Sequence, residues 1–330
     1  MGSERHFEDV AKAISDGKLV PFLGAGVNLC DRPIGFRWSG ELESPLRSDF
    51  LPSGSELAEY LAAKLHSPEP VRCVWPECLR PQPSSDLVRT SQEIVSYLGE
   101  GRLRENLYYV FQSKAPYTRV HEIIAGLGES LEPLNPEDSF PLVVTTNYDD
   151  LMERAYQAQG ISPDVVCYKA LPGALGGFYH ANRKVERADE NDRFCEKRPT
   201  LLKIHGTVDR TGSPHDTSIV ITEDQYIDYL AREPLENSLP VTLASKLASH
   251  HFLFLGYSLR DWNLRVFLRK LTTAFGYRSW AVMHDSTDVD KKFWAHNGVD
   301  IIHMDLNEYM KRLKTEWDRL RHQRGRHLDP

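Results

Sequence analysis

No apolar run in this chain approaches the ~18 residues that cross a bilayer, and no basic segment followed by an apolar one opens it. A membrane span and a secretory leader are therefore not expected. Cysteine is scarce. Cys30, Cys73, Cys78, Cys167 and Cys195 are odd in number and irregularly spaced, which excludes a disulfide framework and fits reduced thiols in a cytoplasmic protein. Cys73 and Cys78 have no second pair downstream, so no zinc site is expected. An excess of positive charge is missing as well. The 40 Lys and Arg against 47 Asp and Glu leave a net charge of −7, which argues against a protein built to grip phosphate backbones. What is present is ordinary globular material. The 330 residues are 41% hydrophobic and 26% charged, enough for one large α/β domain or two modest ones.

Hydrophobic periodicity and punctuation alternate between strand-like and helix-like blocks. Strands are expected over 19–23, 142–145, 201–204, 218–222, 252–255, 279–283 and 300–304. Helices are expected over 7–14, 149–159, 224–231, 240–249, 262–275 and from 307 onward. Continuous apolar strands interleaved with amphipathic helices specify an α/β fold: a Rossmann-like, mostly parallel sheet with helices on both faces. Between residues 36 and 136 the pattern turns helical, with segments at 56–65, 86–98, 103–111 and 118–127, so this stretch reads as an inserted, mainly helical small domain. Residues 1–35 and 137–330 then form one discontinuous domain. Residues 172–200 are rich in glycine and charge and read as an irregular flap. Leu306, Met310, Leu313, Trp317 and Leu320 form a stripe on the last helix that fits core packing or an oligomer contact.

Four strand ends carry polar or glycine residues. After the first strand, Gly24-Ala25-Gly26-Val27-Asn28 allows backbone N–H groups to approach a pyrophosphate, although a tight turn without a ligand has the same composition. The second site, Thr145-Thr146-Asn147-Tyr148-Asp149, stands where open α/β sheets bind ligands. Asn147 can donate and accept toward a ribose hydroxyl or a water, and Asp149 can accept from an amide. Capping of the next helix is the competing reading. His205, followed by Gly206, is either a packing residue or, with a pKa near neutrality, a proton acceptor sharing a cleft with Asn147. Last, Gly256-Tyr257-Ser258 ends an apolar strand with groups suited to phosphate or ribose, the competing reading being a turn in which Ser258 or Asp261 caps the next helix.

This ordered set, together with Leu202-Lys203-Ile204-His205-Gly206 and Thr222-Glu223-Asp224-Gln225-Tyr226, resembles the sirtuin family, and more closely the sirtuin-like domains of bacterial antiphage-defence proteins. The resemblance covers residues 18–30 and about 140–285. It implies that NAD is bound as a substrate and cleaved. His205 would be the general base, Asn147 would hold the nicotinamide ribose or the attacking water, and Asp149 would orient the carboxamide. Gly24, Ala25, Gly26, Asn28, Thr146, Gly256, Tyr257 and Ser258 would cradle phosphates and ribose. The two Cys-x-x-Cys pairs of the deacylase branch are missing, and with them the zinc module that helps to form the acyl-lysine groove. The expected activity is therefore NAD+ hydrolysis that depletes the cell's NAD during antiviral defence, controlled by self-assembly or by a separately encoded sensor such as a hexameric ATPase. A non-catalytic NAD or ADP-ribose sensor, and a protein deacylase or ADP-ribosyltransferase, are the alternatives. No membrane and no direct nucleic-acid partner is expected.

Overall fold

The computed structural model describes residues 2–38, 49–66, 85–127, 140–169, 176–181, 187–188, 192–210, 212–214, 217–231, 239–257 and 278–328. Its centre is an eight-stranded sheet: β1 (Leu19–Leu23), β2 (Leu142–Thr145), β3 (Asp164–Lys169), β4 (Gly177–His180), β5 (Thr200–Lys203), β8 (His251–Leu255), β9 (Ser279–Met283) and β10 (Val299–His303). The strand order is β10-β9-β8-β1-β2-β5-β3-β4. Every pairing is parallel except β3 with β4. The two-stranded β6 (Gly206–Thr207) and β7 (Ser218–Ile219) form a separate antiparallel pair.

Strand residues alternate between two buried layers, as a pleated backbone covered on both faces requires. Val20, Phe22, Val144, Leu202, Phe252 and Phe254 pack on one face with Tyr226 and Tyr229 of α7 (Glu223–Ala231) and Leu243 and Leu247 of α8 (Val241–Ser249). Leu19, Leu23, Val143, Leu201, Leu253 and Leu255 pack on the other, against α1 (Gly2–Ser15), α5 (Arg119–Gly126), α6 (Leu151–Ala158) and α10 (Leu306–Leu328). On α10, Met310, Leu313 and Trp317 are buried in this second layer, so the stripe takes its packing reading. Helices α2 (Gly54–His66), α3 (Leu87–Leu98) and α4 (Glu100–Phe111) build a third apolar cluster shared with Tyr148 after β2, Leu151 of α6, Ile219 of β7 and Ile221. A further helix, α9 (Asp288–His296), has a Thr287 capping box and was not expected from the sequence. Strands β3 and β4 were also unexpected, β4 lying inside the stretch read as irregular. The helix expected over 262–275 and the pair Cys73 and Cys78 lie outside the described residues.

Candidate functional site

The strand register decides where the polar motifs meet. Leu23 pairs with Thr145 on one side and Leu255 on the other, and Thr145 pairs with Lys203. These four residues form one row across the sheet. The residues that follow them therefore leave the sheet at a single carboxyl-terminal edge, where open α/β sheets hold ligands.

In the β1 loop, the Gly24 N–H donates to the Leu255 carbonyl at 2.9 Å and the Gly26 N–H to the Gly256 carbonyl at 2.9 Å. A Cβ on either glycine would stand 2.7 Å from the Gly256 carbonyl oxygen. The glycines thus permit two loop backbones to touch, and the N–H groups that the sequence aims at a pyrophosphate are engaged by the β8 loop. Gly256 reciprocates: its φ is +70°, and a Cβ there would meet the Val27 nitrogen at 2.4 Å. The Tyr257 hydroxyl donates to the Leu23 carbonyl at 3.0 Å and lies 2.8 Å from the Thr146 hydroxyl.

The β2 loop is fixed by its own side chains. Thr145 Oγ1 donates to the Leu23 carbonyl at 2.9 Å and accepts the Asn147 N–H at 3.0 Å. Asn147 Nδ2 donates to the Gly24 carbonyl at 3.2 Å, which orients its amide across the β1 loop. Asp149 does two things at once. Its Oδ1 accepts the Leu151 N–H at 3.0 Å in the turn that leads into α6, whose N-cap position is Asp150, while its Oδ2 accepts Asn28 Nδ2 at 2.7 Å. Asn28 is buried, and its Oδ1 has no hydrogen-bond partner among the described residues. A buried acceptor without a donor costs free energy until a ligand supplies one. Beneath this loop, the buried Lys203 ammonium donates to the Asp149 carbonyl and, at 2.8 Å, to Glu153 Oε1. Burial alone would lower the Lys203 pKa, but Glu153 and Asp149 together carry it above its ordinary value. Burial lifts Glu153 against the pull of Lys203. The short contact and the second hydrogen bond to Lys203 favour reading the pair as charged.

His205 stands two residues beyond β5, after Ile204. Its carbonyl accepts the Val220 N–H at 2.9 Å. Gly206, at φ +85°, lets the chain turn where a Cβ would come within 2.0 Å of the Ser218 carbonyl oxygen. The imidazole stands edge-to-face with Tyr226 and Tyr229, with ring centroids 5.3 and 5.8 Å away. Burial drives its pKa down to about 3, against the near-neutral value expected from the sequence, so the ring is neutral at physiological pH and its lone pair is free of a proton.

Ala25, Asn28, Thr146, Asn147, Asp149, His205, Gly256 and Tyr257 all line one cavity of about 950 Å³. That volume suits a large organic ligand. Gly24 and Gly26 are not among its lining residues, and Ser258 lies outside the described residues. The opposite wall comes from the helical segment, where Ser53, Gly54 and Ser55 open α2 and Asp86 and Leu87 open α3. Nothing in the sequence located that wall, because it depends on how α2 and α3 pack against the sheet. Lys203 and Tyr226 also went unassigned: their roles arise from partners 54 and 21 residues away. Among the described residues, no group of three His, Cys, Asp or Glu is placed to hold a metal, and no helix is long and apolar enough to cross a membrane.

Comparison with known proteins bears on the family. Residues 141–302 match the SIR2-like domain family. Across 92% of the chain there is 26% identity to a Bacillus subtilis protein named defense-associated sirtuin 2, of which the match covers 25%. Two proteins named NAD(+) hydrolase ThsA are also similar. One, from Cytobacillus dafuensis, is 25% identical over 58% of the chain and 31% of its own length. The other, from Acinetobacter baumannii, is 30% identical over 61% and 36%. The chain thus spans a quarter to just over a third of the length of these relatives.

Proposed function

Because this chain carries a SIR2-like domain, we propose that its cavity binds NAD+ and hydrolyses it to nicotinamide and ADP-ribose, and that the protein serves antiviral defence by depleting NAD. The observation that carries the reading is the convergence of Asn147, Asp149 and His205, from two neighbouring strand ends, on one large cavity. Relatives named for NAD hydrolysis and for defence support it.

The chemistry follows from the parts. The bond to break joins C1′ of the ribose to the pyridinium nitrogen, and its electron pair goes to that nitrogen, so nicotinamide leaves neutral. No strong acid is needed. A water adds to C1′ and must lose a proton, and positive charge develops on the ribose in between, as at other glycosidic centres. His205 accepts the proton from that water; a ring whose pKa burial holds at about 3 is a weak base, so the transfer follows once the ribosyl cation is largely formed and the adding water has become acidic. Asn147, held by the Gly24 carbonyl, presents its amide oxygen to the ribose or the water. Asp149 and the orphaned Asn28 Oδ1 receive the carboxamide NH2 of the leaving group. The same proposal treats residues 36–136 as an inserted domain within a discontinuous one formed by 1–35 and 137–330, and places control in self-assembly or in a separate partner.

The test is to incubate the pure chain with NAD+ over a range of protein concentrations, with and without candidate partners. Nicotinamide should appear in equal amount with free ADP-ribose. His205→Ala and Asn147→Ala should abolish it while keeping the wild-type circular dichroism. Specific activity that rises with concentration marks control by assembly, and a flat value removes that part. Full turnover in both variants would discard the assignment, and a modified protein or an acylated ADP-ribose would change the acceptor.

A further inference from the structure

We propose that Tyr226 is the positioning residue that sets the tautomer of His205: its hydroxyl accepts the Nδ1 proton, so the Nε2 lone pair is the one offered to the cavity. The inference deepens the NAD-hydrolysis reading and rests on it for its chemical purpose.

Four observations carry it. The Tyr226 hydroxyl lies 3.4 Å from His205 Nδ1, a little longer than a fully formed hydrogen bond. Such bonds are often long before a substrate arrives and tighten afterwards. The two rings meet edge-to-face at an interplanar angle of 86°, which fixes the imidazole plane. Both residues line the cavity and both are buried, His205 6% and Tyr226 5% exposed. A buried neutral imidazole has one N–H and one lone pair, and a proton acceptor is useful only if the lone pair faces the ligand.

The segment that carries Tyr226 is itself locked. Thr222 and Gln225 form a reciprocal cap: the Gln225 N–H donates to Thr222 Oγ1 at 3.2 Å, and Gln225 Oε1 accepts the Thr222 N–H at 3.1 Å. Asp224 is strapped to α3, its N–H donating to Gln92 Oε1 at 3.1 Å while Gln92 Nε2 donates to its Oδ2 at 2.8 Å. Every residue from Thr222 to Tyr226 except Glu223 therefore has an assigned contact, and the outcome of three of them is to hold the fourth against His205. A tyrosine needed only for packing would not require its hydroxyl there.

The chemistry balances within the proposed reaction. Nε2 takes the proton from the attacking water as the ring becomes cationic, and the Nδ1–H to Tyr226 contact steadies that cation in a desolvated site.

The test uses protein labelled with 15N-histidine at pH 7.5 and reads ring tautomers through long-range nitrogen–proton couplings, His205 being assigned by its loss in His205→Asn. Wild type should show the proton on Nδ1, and Tyr226→Phe, which keeps the ring and its packing, should shift the proton to Nε2. In nicotinamide release, Tyr226→Phe should lower kcat about tenfold with KM unchanged, the worth of one hydrogen bond. A proton on Nε2 in wild type, or a tautomer unmoved by Tyr226→Phe, overturns the proposal. If the tautomer responds as described but the wild-type protein releases no nicotinamide from NAD+, it is the NAD-hydrolysis reading that fails. If His205→Asn cleaves NAD+ at the wild-type rate, the role of His205 as base fails and the positioning role of Tyr226 with it.

Discussion

Among the described residues, His205, His6 and His121 are buried histidines that resist protonation. Burial lowers His6 and His121 to about 4 and His205 to about 3. An unfolded chain binds protons at these rings near pH 6.5, which the native state refuses. Their contribution to stability is complete above that pH and is lost as the pH falls below it. Each ring then costs about 2 kcal/mol at pH 5. Urea unfolding at pH 7.5 and pH 5 should show a marked drop, and the drop should be shallower in His205→Asn. Equal drops in the two proteins would mean that the ring is hydrated in the native state. The place of His205 and Asn147 was legible in the sequence because each stands one or two residues beyond an apolar strand, and strand direction delivers such residues to one edge. Their neighbours' duties were not. That the Gly24 and Gly26 N–H groups face the β8 loop depends on register between strands 230 residues apart, to which composition is blind.

At the scale of elements, β5 does more than carry His205 at its end. Its last residue, Lys203, reaches under the β2 loop to the Asp149 carbonyl and joins Glu153 on α6, so one side chain ties β5, the β2 loop and α6 together. Lys203→Met leaves Glu153 buried without its cation and should cost about 3–5 kcal/mol. Adding Glu153→Leu should restore most of that stability, because an apolar pair of similar volume replaces the ion pair. It should not restore nicotinamide release, because the Asp149 carbonyl still lacks its donor. Recovery of both would reduce Lys203 to a purely structural residue. Strands β1, β2 and β9 were legible from end to end, as their continuous apolar runs promise. Strand β3 begins with Asp164 and ends with Lys169, and the four-residue β4 sits beside glycine and charge, so neither shows the period that marks a strand. The strand expected over 218–222 is only Ser218–Ile219, and it pairs with Gly206–Thr207 outside the main sheet.

Considered as a whole, the molecule divides its labour between a sheet edge that supplies the reactive groups and a helical segment that closes the other side of the cavity. The first half of that plan is written in four short motifs. The second half depends on Ser53, Gly54, Ser55, Asp86 and Leu87 arriving opposite them through the packing of α2 and α3. The central claim is spatial: the scissile bond of NAD+ sits between Asn147 and His205, with the carboxamide at Asp149 and Asn28. A crystal structure of the His205→Ala variant soaked with NAD+ tests it most directly. The account predicts an intact dinucleotide in this cavity, its nicotinamide ribose within hydrogen-bond reach of the Asn147 amide. A dinucleotide bound elsewhere, or bound here with its adenine end beside Asn147, would contradict it.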